Sequence, residues 1–297
     1  MSANTQQGFS LVELMIATAL SLSVILLTTQ FALVSHRNFQ VNSAHQEVME
    51  SGWTALHFLR QDIQLADYWS CIENPGGIYN GSNNNAYSPA LSITGEDDSG
   101  INQSDTIQIL RVTEPPELTD QRMLYTNSPI EVRRSDFQRN QTAIITNCVN
   151  SDIFTITDAS DNQLHHEQIQ NASSNISAHL LHAYPMHTRI YRVVQITYEL
   201  RLSNGIPTLY RRYDTARAQA LLENIEQLQF LYGENTNNTP GPERYLPIDQ
   251  ITDPTRIHSI QVTVTTRSNS RILHNNTEPY RQTFSAVIPI FNRLQNE

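Results

Sequence analysis

The sequence contains no lysine, so all 19 of its basic residues are arginine. A chain without lysine cannot provide a P-loop lysine, a Schiff-base lysine or a lysine general base. The patterns GxGxxG, HExxH and GxSxG are absent as well. These absences exclude the nucleotide-binding, zinc-protease and serine-hydrolase classes that depend on those motifs.

Positive charge is also scarce relative to negative charge. The formal net charge is −10 over 297 residues, which argues against nucleic acid as a partner. The hydrophobic content of 39% allows a real core, and the length suits one or two folded domains.

Cysteine is limited to Cys71 and Cys148. If this part of the chain lies outside the cytoplasm, a disulfide between them is the prediction, and the alternative is two buried thiols. A bridge would enclose the 76 residues from Ile72 to Asn147. Chain entropy for a loop of that size corresponds to about 4 kcal/mol.

One long apolar run is present, from Phe9 to Val34, and its only formal charge is Glu13. The run is long enough to cross a membrane, although several Ser, Thr and Gln residues interrupt it. A secretory signal peptide would have a basic region first, a shorter apolar core and a small-residue cleavage site after it. None of these is found, so cleavage after the run is not predicted.

The stretch from Gly8 to Glu13, GFSLVE, resembles the class III signal of type IV pilins and type II secretion pseudopilins. The resemblance implies cleavage after Gly8 by a prepilin peptidase, N-methylation of Phe9, and an assembly role for Glu13. A carboxylate inside a bilayer costs about 2.5–3.5 kcal/mol and therefore needs a partner. In a filament, the implied partner is the amine of a neighbouring Phe9, and the alternative is a snorkelling carboxylate without a role.

The leader implied by this signal, residues 1–8, has no Lys or Arg, although pilin leaders usually carry them. Charge therefore gives no orientation. The resemblance implies a single-pass protein of the bacterial inner membrane with a cytoplasmic N-terminus and a periplasmic C-terminal domain, which enters the pilus after assembly.

Helical periodicity continues beyond the membrane segment and predicts a helix from Ser10 to about Leu65. Gly52 is its weak point, at a cost of about 1 kcal/mol relative to Ala.

The stretch from Thr54 to Cys71, TALHFLRQDIQLADYWSC, resembles the helix-end signature of the PilW family of minor pilins. The matching residues are Leu59, Asp62, Ile63, Ala66, Tyr68 and Cys71. The family often has Gly where this chain has Asp67 and Ser70. The pair Tyr68–Trp69 is predicted to pack at the helix end.

After an Asn-, Ser- and Gly-rich loop from Glu73 to Asp105, the pattern becomes that of half-buried antiparallel strands. Strands are predicted at 107–112, 153–157, 190–202, 209–213, 228–232, 260–264 and 284–290, and Asn204-Gly205 is a hairpin signal. Several stretches, from YRVVQITYEL to FSAVIPIFNR, follow the order seen in PilW-like proteins.

The predicted fold class is α+β of the type IV pilin-like kind, with a long N-terminal helix packed on a C-terminal antiparallel sheet domain. The predicted segments are a leader (1–8), a transmembrane and assembly helix (9–34), a periplasmic continuation of that helix (35–70) and a β-rich periplasmic globular domain (71–297).

Two polar clusters are candidate metal sites. The first contains His165, His166, Glu167, His179, His182 and His187, whose spacing fits no recognised zinc site. The second contains Glu96, Asp97 and Asp98, for which a solvated acidic loop is the prediction. No metal, no cofactor and no catalytic residue are predicted, so the chain is not expected to be an enzyme.

The resemblance implies a low-copy minor pilin that primes or caps type IV pilus assembly at or near the tip. Its implied partners are other minor pilins and the major pilin through the N-terminal helix, the prepilin peptidase and the inner membrane, with a tip adhesin as a further candidate. The alternatives are a J-type pseudopilin of type II secretion and, from another class, a signal-anchored periplasmic binding or adhesion module. An anchored enzyme is a third.

Overall fold

The computed structural model describes residues 10–72, 74–133, 136–169, 174–237, 241–273 and 278–294. Helix α1 spans Leu11–Ile63 and helix α2 spans Phe291–Leu294. The strands are β1 (Tyr79–Asn80), β2 (Ile93–Glu96), β3 (Thr106–Val112), β4 (Glu117–Leu118), β5 (Ile130–Glu131), β6 (Thr142–Thr146), β7 (Ser151–Thr155), β8 (Asp158–Ser160), β9 (Gln163–His165), β10 (Arg189–Ser203), β11 (Ile206–Tyr213), β12 (Gln219–Glu223), β13 (Ile225–Glu234), β14 (Arg244–Leu246), β15 (Ile257–Leu273) and β16 (Glu278–Pro289).

The chain forms two compact units. The first contains Met1–Met49 and Ser268–Tyr280, and the second contains Glu50–Arg267 and Arg281–Glu297. Within the first unit, the carboxylate of Glu47 accepts a hydrogen bond from the backbone N–H of Asn269 at 3.3 Å. The rings of His45 and Tyr280 lie 5.5 Å apart.

The second unit is built on a nine-stranded sheet in the order β1-β7-β6-β10-β11-β12. Strands β3 and β4 also pair with β10, and β2 pairs with β3. β10 is long enough to carry two sets of neighbours, since Arg189–Arg192 pair with β6 whereas Val193–Tyr198 pair with β3. All of these pairings are antiparallel except that of β1 with β7.

Both faces of this sheet are covered by apolar side chains. One cluster contains Ile145, Phe154 and Ile190, and the other contains Ile144 and Ile153 on the opposite faces of the same strands. Alternation disappears in a strand that is buried on both faces. This explains why β6, which reads TAIIT and is buried along its whole length, was not predicted.

The hairpin signal was correct. β10 and β11 pair in antiparallel register up to Ser203 and Ile206, and Asn204 and Gly205 connect them with φ angles of 50° and 81°. Two residues with positive φ give the turn whose twist suits a two-residue hairpin. Leu202, the last residue of the predicted strand, lies at the hairpin end and is 59% exposed.

Two smaller sheets complete the fold, one with the order β14-β13-β15-β16 and one with the order β5-β9-β8. The expected loop from Glu73 to Asp105 also contains structure, because β1 and β2 pair there with β7 and β3. β1 and β2 could not be recognised in the sequence, because both strands are short and polar residues flank them.

The C-terminal part of α1 packs on the strands of the second unit. Ala55, Leu59 and Ile63 are fully buried, and the Tyr198 hydroxyl oxygen lies 3.2 Å from the carbonyl oxygen of Phe58. A long helix packed on antiparallel-rich sheets confirms the predicted α+β class.

The helix ends at Ile63 rather than at Leu65. Leu65 and Ala66 donate their N–H groups three residues back, to Asp62 and Ile63, which tightens the last turn. Asp67 then donates its N–H to the carbonyl of Leu110 on β3, so the chain leaves the helix for the sheet.

Candidate functional site

The N-terminus of α1 is closed by a capping box. Ser10 precedes the helix and its hydroxyl accepts a hydrogen bond from Val12 N–H at 3.3 Å, while Glu13 Oε2 accepts one from Ser10 N–H at 3.1 Å. This reciprocal arrangement satisfies backbone donors that a helix start leaves unpaired. Glu13 therefore has a local structural role in addition to the predicted role in assembly.

The first part of α1 presents its apolar side chains outward. Every residue from Ser10 to Ser43 is exposed, and the large apolar side chains between Leu11 and Val34 are 56–77% exposed. A continuous exposed apolar surface of this size marks a membrane or protein interface. Within the described residues, α1 is the one helix long and apolar enough to cross a membrane.

The hydroxyl side chains that interrupt the apolar run are satisfied inside the helix. Thr18, Ser21, Ser23, Thr28 and Thr29 each donate to a carbonyl three or four residues back, at distances of 2.7–3.0 Å. Polar groups without a partner are costly in a hydrocarbon environment. These bonds explain how the segment tolerates these five of its hydroxyls.

Gly8 and Phe9, the predicted cleavage and N-methylation residues, lie outside the described residues.

The turn after α1 keeps the conformation that glycine would favour. Asp67 and Ser70 stand where the PilW signature often has Gly, and their φ angles are 60° and 62°. Both side chains are used: Ser70 Oγ donates to the Tyr191 hydroxyl at 2.5 Å, and Asp67 Oδ1 accepts from Trp69 Nε1 at 2.7 Å. Trp69 is buried in the core, where it was expected to pack.

A carboxylate near the end of α1 organises the adjacent strands. Asp62 accepts a 2.6 Å hydrogen bond from the Tyr198 hydroxyl and lies 3.4 and 3.5 Å from the guanidinium groups of Arg111 and Arg211. Burial, followed by the charge and hydrogen bond of Asp62, raises the pKa of Tyr198, so the phenol stays protonated as the donor.

The disulfide predicted between Cys71 and Cys148 is present, with 5.3 Å between the two Cα atoms. Cys71 follows the helix-end turn, and Cys148 lies in the turn between β6 and β7, where its N–H donates to the Thr146 hydroxyl. The bridge thus joins the segment after α1 to the β6–β7 turn of the nine-stranded sheet.

The histidines of the first candidate metal cluster have separate partners. His166 is buried and contacts the carbonyl of Ser128, and burial lowers its pKa. His179 contacts the Thr126 hydroxyl, and His182 contacts the carboxylate of Asp152. Among the residues that the structure describes, this cluster does not form a three-residue ligand set.

The acidic loop between β2 and β3 does bring carboxylates together. Asp97, Asp98 and Asp105 have ligand oxygens within 4.8 Å of one another. Burial, assisted by neighbouring carboxylates, raises the pKa of Asp97 and of Asp105. The sequence identified Asp97 and Asp98 but not Asp105, whose place opposite them depends on the β2–β3 pairing.

Two family models match the chain. The model for the prokaryotic N-terminal methylation motif matches residues 3–29, which include Gly8, Phe9 and Glu13. The model for Type IV Pilus-assembly protein W matches residues 197–290, from the second half of β10 into the residue that follows β16. No curated protein and no solved structure matches significantly.

The prepilin motif and the exposed apolar helix, which the sheet domain follows in the sequence, support a type IV pilin-like protein with a membrane anchor. Within that class, residues 197–290 are similar to the PilW family, and the two matches together support a PilW-like minor pilin.

Proposed function

We propose that this minor pilin assembles with other pilins through α1 and primes or caps the type IV pilus, in low copy and at or near its tip. The observation that carries the proposal is the exposed apolar surface of α1 from Leu11 to Val34. Such a surface is suited to lipid before assembly and to the equivalent helices of other pilins afterwards.

The proposal includes a direction in the membrane. The N-terminus lies in the cytoplasm, where a prepilin peptidase cleaves after Gly8 and Phe9 becomes N-methylated. The sheet domain lies in the periplasm, and the disulfide supports this, because such bonds persist in oxidising compartments. The role is structural, without a reaction catalysed by the chain, and a tip adhesin is a candidate partner beside the minor and major pilins.

Mass spectrometry of the mature protein tests the processing step. We expect a chain that begins with N-methylated Phe9. A chain that still begins at Met1 or Ser2 in cells with active prepilin peptidase would contradict the pilin assignment.

A pair of substitutions separates the two roles of Glu13. In Glu13→Gln, the amide oxygen still accepts the Ser10 N–H, so the capping box remains while the charge is lost. In Glu13→Ala, both the capping hydrogen bond and the charge are lost. If the charge pairs with the amine of a neighbouring Phe9, both variants are processed but reach the pilus in greatly reduced amounts.

Glu50→Ala is the matched control, because Glu50 is an exposed acidic residue on the same helix. Immunoblots of sheared pili and of membranes give the incorporated and unincorporated fractions. Normal incorporation of Glu13→Gln would show that Glu13 acts only as a helix cap.

Deletion of the chain should reduce the number of pili, whereas intact piliation with a loss of type II secretion would favour a J-type pseudopilin.

A further inference from the structure

We propose that the loop between β2 and β3 binds a divalent cation of the calcium type through Asp97, Asp98 and Asp105. The three carboxylates each offer an oxygen within 4.8 Å of the other two. Two oxygens on one Ca²⁺ lie up to about 5 Å apart, since each Ca–O distance is about 2.3–2.6 Å. The existing separations therefore suit a common ion.

A second observation, outside the carboxylates, points to the same place. The Tyr232 side chain is 1% exposed, and its hydroxyl has no hydrogen-bond partner among the described residues. This hydroxyl lies at the base of the loop, because a Cβ built on Gly95 of β2 would come within 2.7 Å of it. The charges of Asp105 and Asp97 act on it. An ion held by the loop would bring a bound water that can donate to this oxygen.

The charge of the loop is not balanced by the protein. Among the described residues, no ion pair involves Asp97, Asp98 or Asp105. A fourth carboxylate, that of Asp249, is near enough to act on Asp97. Like charges at this distance repel one another, and a divalent cation relieves that repulsion.

One of the three carboxylates is already fixed in place. Asp105 is 3% exposed. Its Oδ2 accepts the Phe230 N–H at 2.7 Å, and its Oδ1 accepts the Asp98 N–H at 2.9 Å. Asp97 and Asp98 are exposed, so they can adjust around an ion. A bound ion would thus connect the loop to β13.

The chemistry of the ligands selects the ion. All three are oxygen donors, without a His or Cys in the group, which excludes a typical zinc site. Two exposed ligands in a loop suit the variable geometry of Ca²⁺ better than the strict octahedron of Mg²⁺. Extracellular calcium modules have dissociation constants of roughly 10⁻⁴–10⁻³ M, and we expect the same range here.

The test uses the full-length chain in detergent, stripped of metal with EGTA. Tb³⁺ serves as the luminescent probe, excited through tyrosine, and CaCl₂ or MgCl₂ is then titrated as a competitor. We expect saturable Tb³⁺ luminescence that Ca²⁺ displaces with a constant of about 10⁻⁴–10⁻³ M, and that Mg²⁺ displaces at least tenfold less well. Ca²⁺ should also raise the melting temperature by a saturable amount.

The variant Asp97→Asn/Asp98→Asn removes two exposed ligands, and we expect it to weaken Ca²⁺ binding at least tenfold. The matched control is Asp158→Asn/Asp161→Asn, which removes two exposed carboxylates elsewhere and should leave binding unchanged. The melting temperature of each variant in EGTA shows independently whether the variant folds. If the double variant fails to fold, the single variant Asp97→Asn replaces it in the binding test. Absence of saturable Ca²⁺ binding up to 10 mM (about ten times the weakest expected constant), or equal binding by the ligand and control variants, would overturn the proposal.

Discussion

The guanidinium group of Arg293 donates its Nε hydrogen to Oδ2 of Asp67 across 2.8 Å, and both side chains are buried. This pair joins α2 to the turn that follows α1. Arg293 also donates to the carbonyls of Pro254 and Ile257 and to the hydroxyl of Ser92, so it lies at the centre of a network of buried hydrogen bonds.

Removal of the acidic partner should be strongly destabilising. Asp67→Ala leaves the buried charge of Arg293 without its counter-ion, and we expect a loss of about 3–5 kcal/mol in the free energy of unfolding. Asp67→Gly should lose about 1 kcal/mol less, because glycine adopts the φ of 60° without strain. Urea unfolding of the full chain in detergent measures both. As a control, Arg281→Ala removes a more exposed pair with Glu226 and should cost at most about 1 kcal/mol.

The disulfide should contribute a large share of domain stability. Cys71→Ser/Cys148→Ser removes the bridge without leaving a single free thiol, and we expect a loss of about 2–5 kcal/mol. Thermal unfolding with and without reductant gives the measurement, since reduction should destabilise the wild type and not the double variant. Equal melting temperatures for the wild type and the double variant would contradict this contribution.

Gly52→Ala should not give the stabilisation that helix propensity alone predicts. A Cβ at this position would come within 2.3 Å of two ring carbons of Phe284, which is itself buried. Alanine gains about 1 kcal/mol in helix propensity, but displacement of the ring costs about 1–3 kcal/mol. We expect Gly52→Ala to be neutral to destabilising by about 2 kcal/mol and Gly52→Leu to be clearly worse. Stabilisation by Gly52→Leu in urea unfolding would show that the helix and β16 separate easily.

Glu234 should make the domain sensitive to acid. Burial by itself raises the pKa of this carboxyl, but the Thr252 hydroxyl, the Arg244 guanidinium and two backbone N–H groups together lower it to about 2, from an ordinary value of 4.5. A lowered pKa in the folded state stabilises the fold above pH 4.5, and this contribution is lost as the pH falls from 4.5 to about 2.

The measurement is the melting temperature between pH 7 and pH 3. Glu234→Gln should be less stable than the wild type at pH 7 by about 1.5–3 kcal/mol, the range for hydrogen bonds to a charged group, and the difference should shrink as the pH falls. Glu223→Gln, at an exposed glutamate on β12, is the control and should follow the wild-type curve. A constant difference at all pH values would exclude Glu234 as the titrating group.

Features with a local cause were predictable from the sequence. The long helix follows from its periodicity, and the β10–β11 hairpin follows from Asn204-Gly205. The Cys71–Cys148 bridge follows from the number and compartment of the cysteines. In each case, the residues that cause the feature can be recognised in the sequence without knowledge of their partners in the fold.

Features that depend on distant partners were not predictable. Arg293 and Asp67 are 226 residues apart in sequence, and nothing near either residue indicates the other. Asp105 completes the acidic loop only because β2 and β3 pair. The buried strand β6 has no alternation because both of its faces are covered, which is a property of its neighbours in the sheet.

The position of the disulfide has a mechanical consequence. Once the noncovalent contacts of the helix end are broken, a pull along α1 is transmitted to the β6–β7 turn through the covalent bridge at Cys71, eight residues beyond the end of the helix. The 76 residues between the two cysteines are bypassed, so they cannot be drawn out while the bridge is closed. At about 3.3 Å per residue, these residues would add roughly 250 Å to the length of the stretched chain if the disulfide were open.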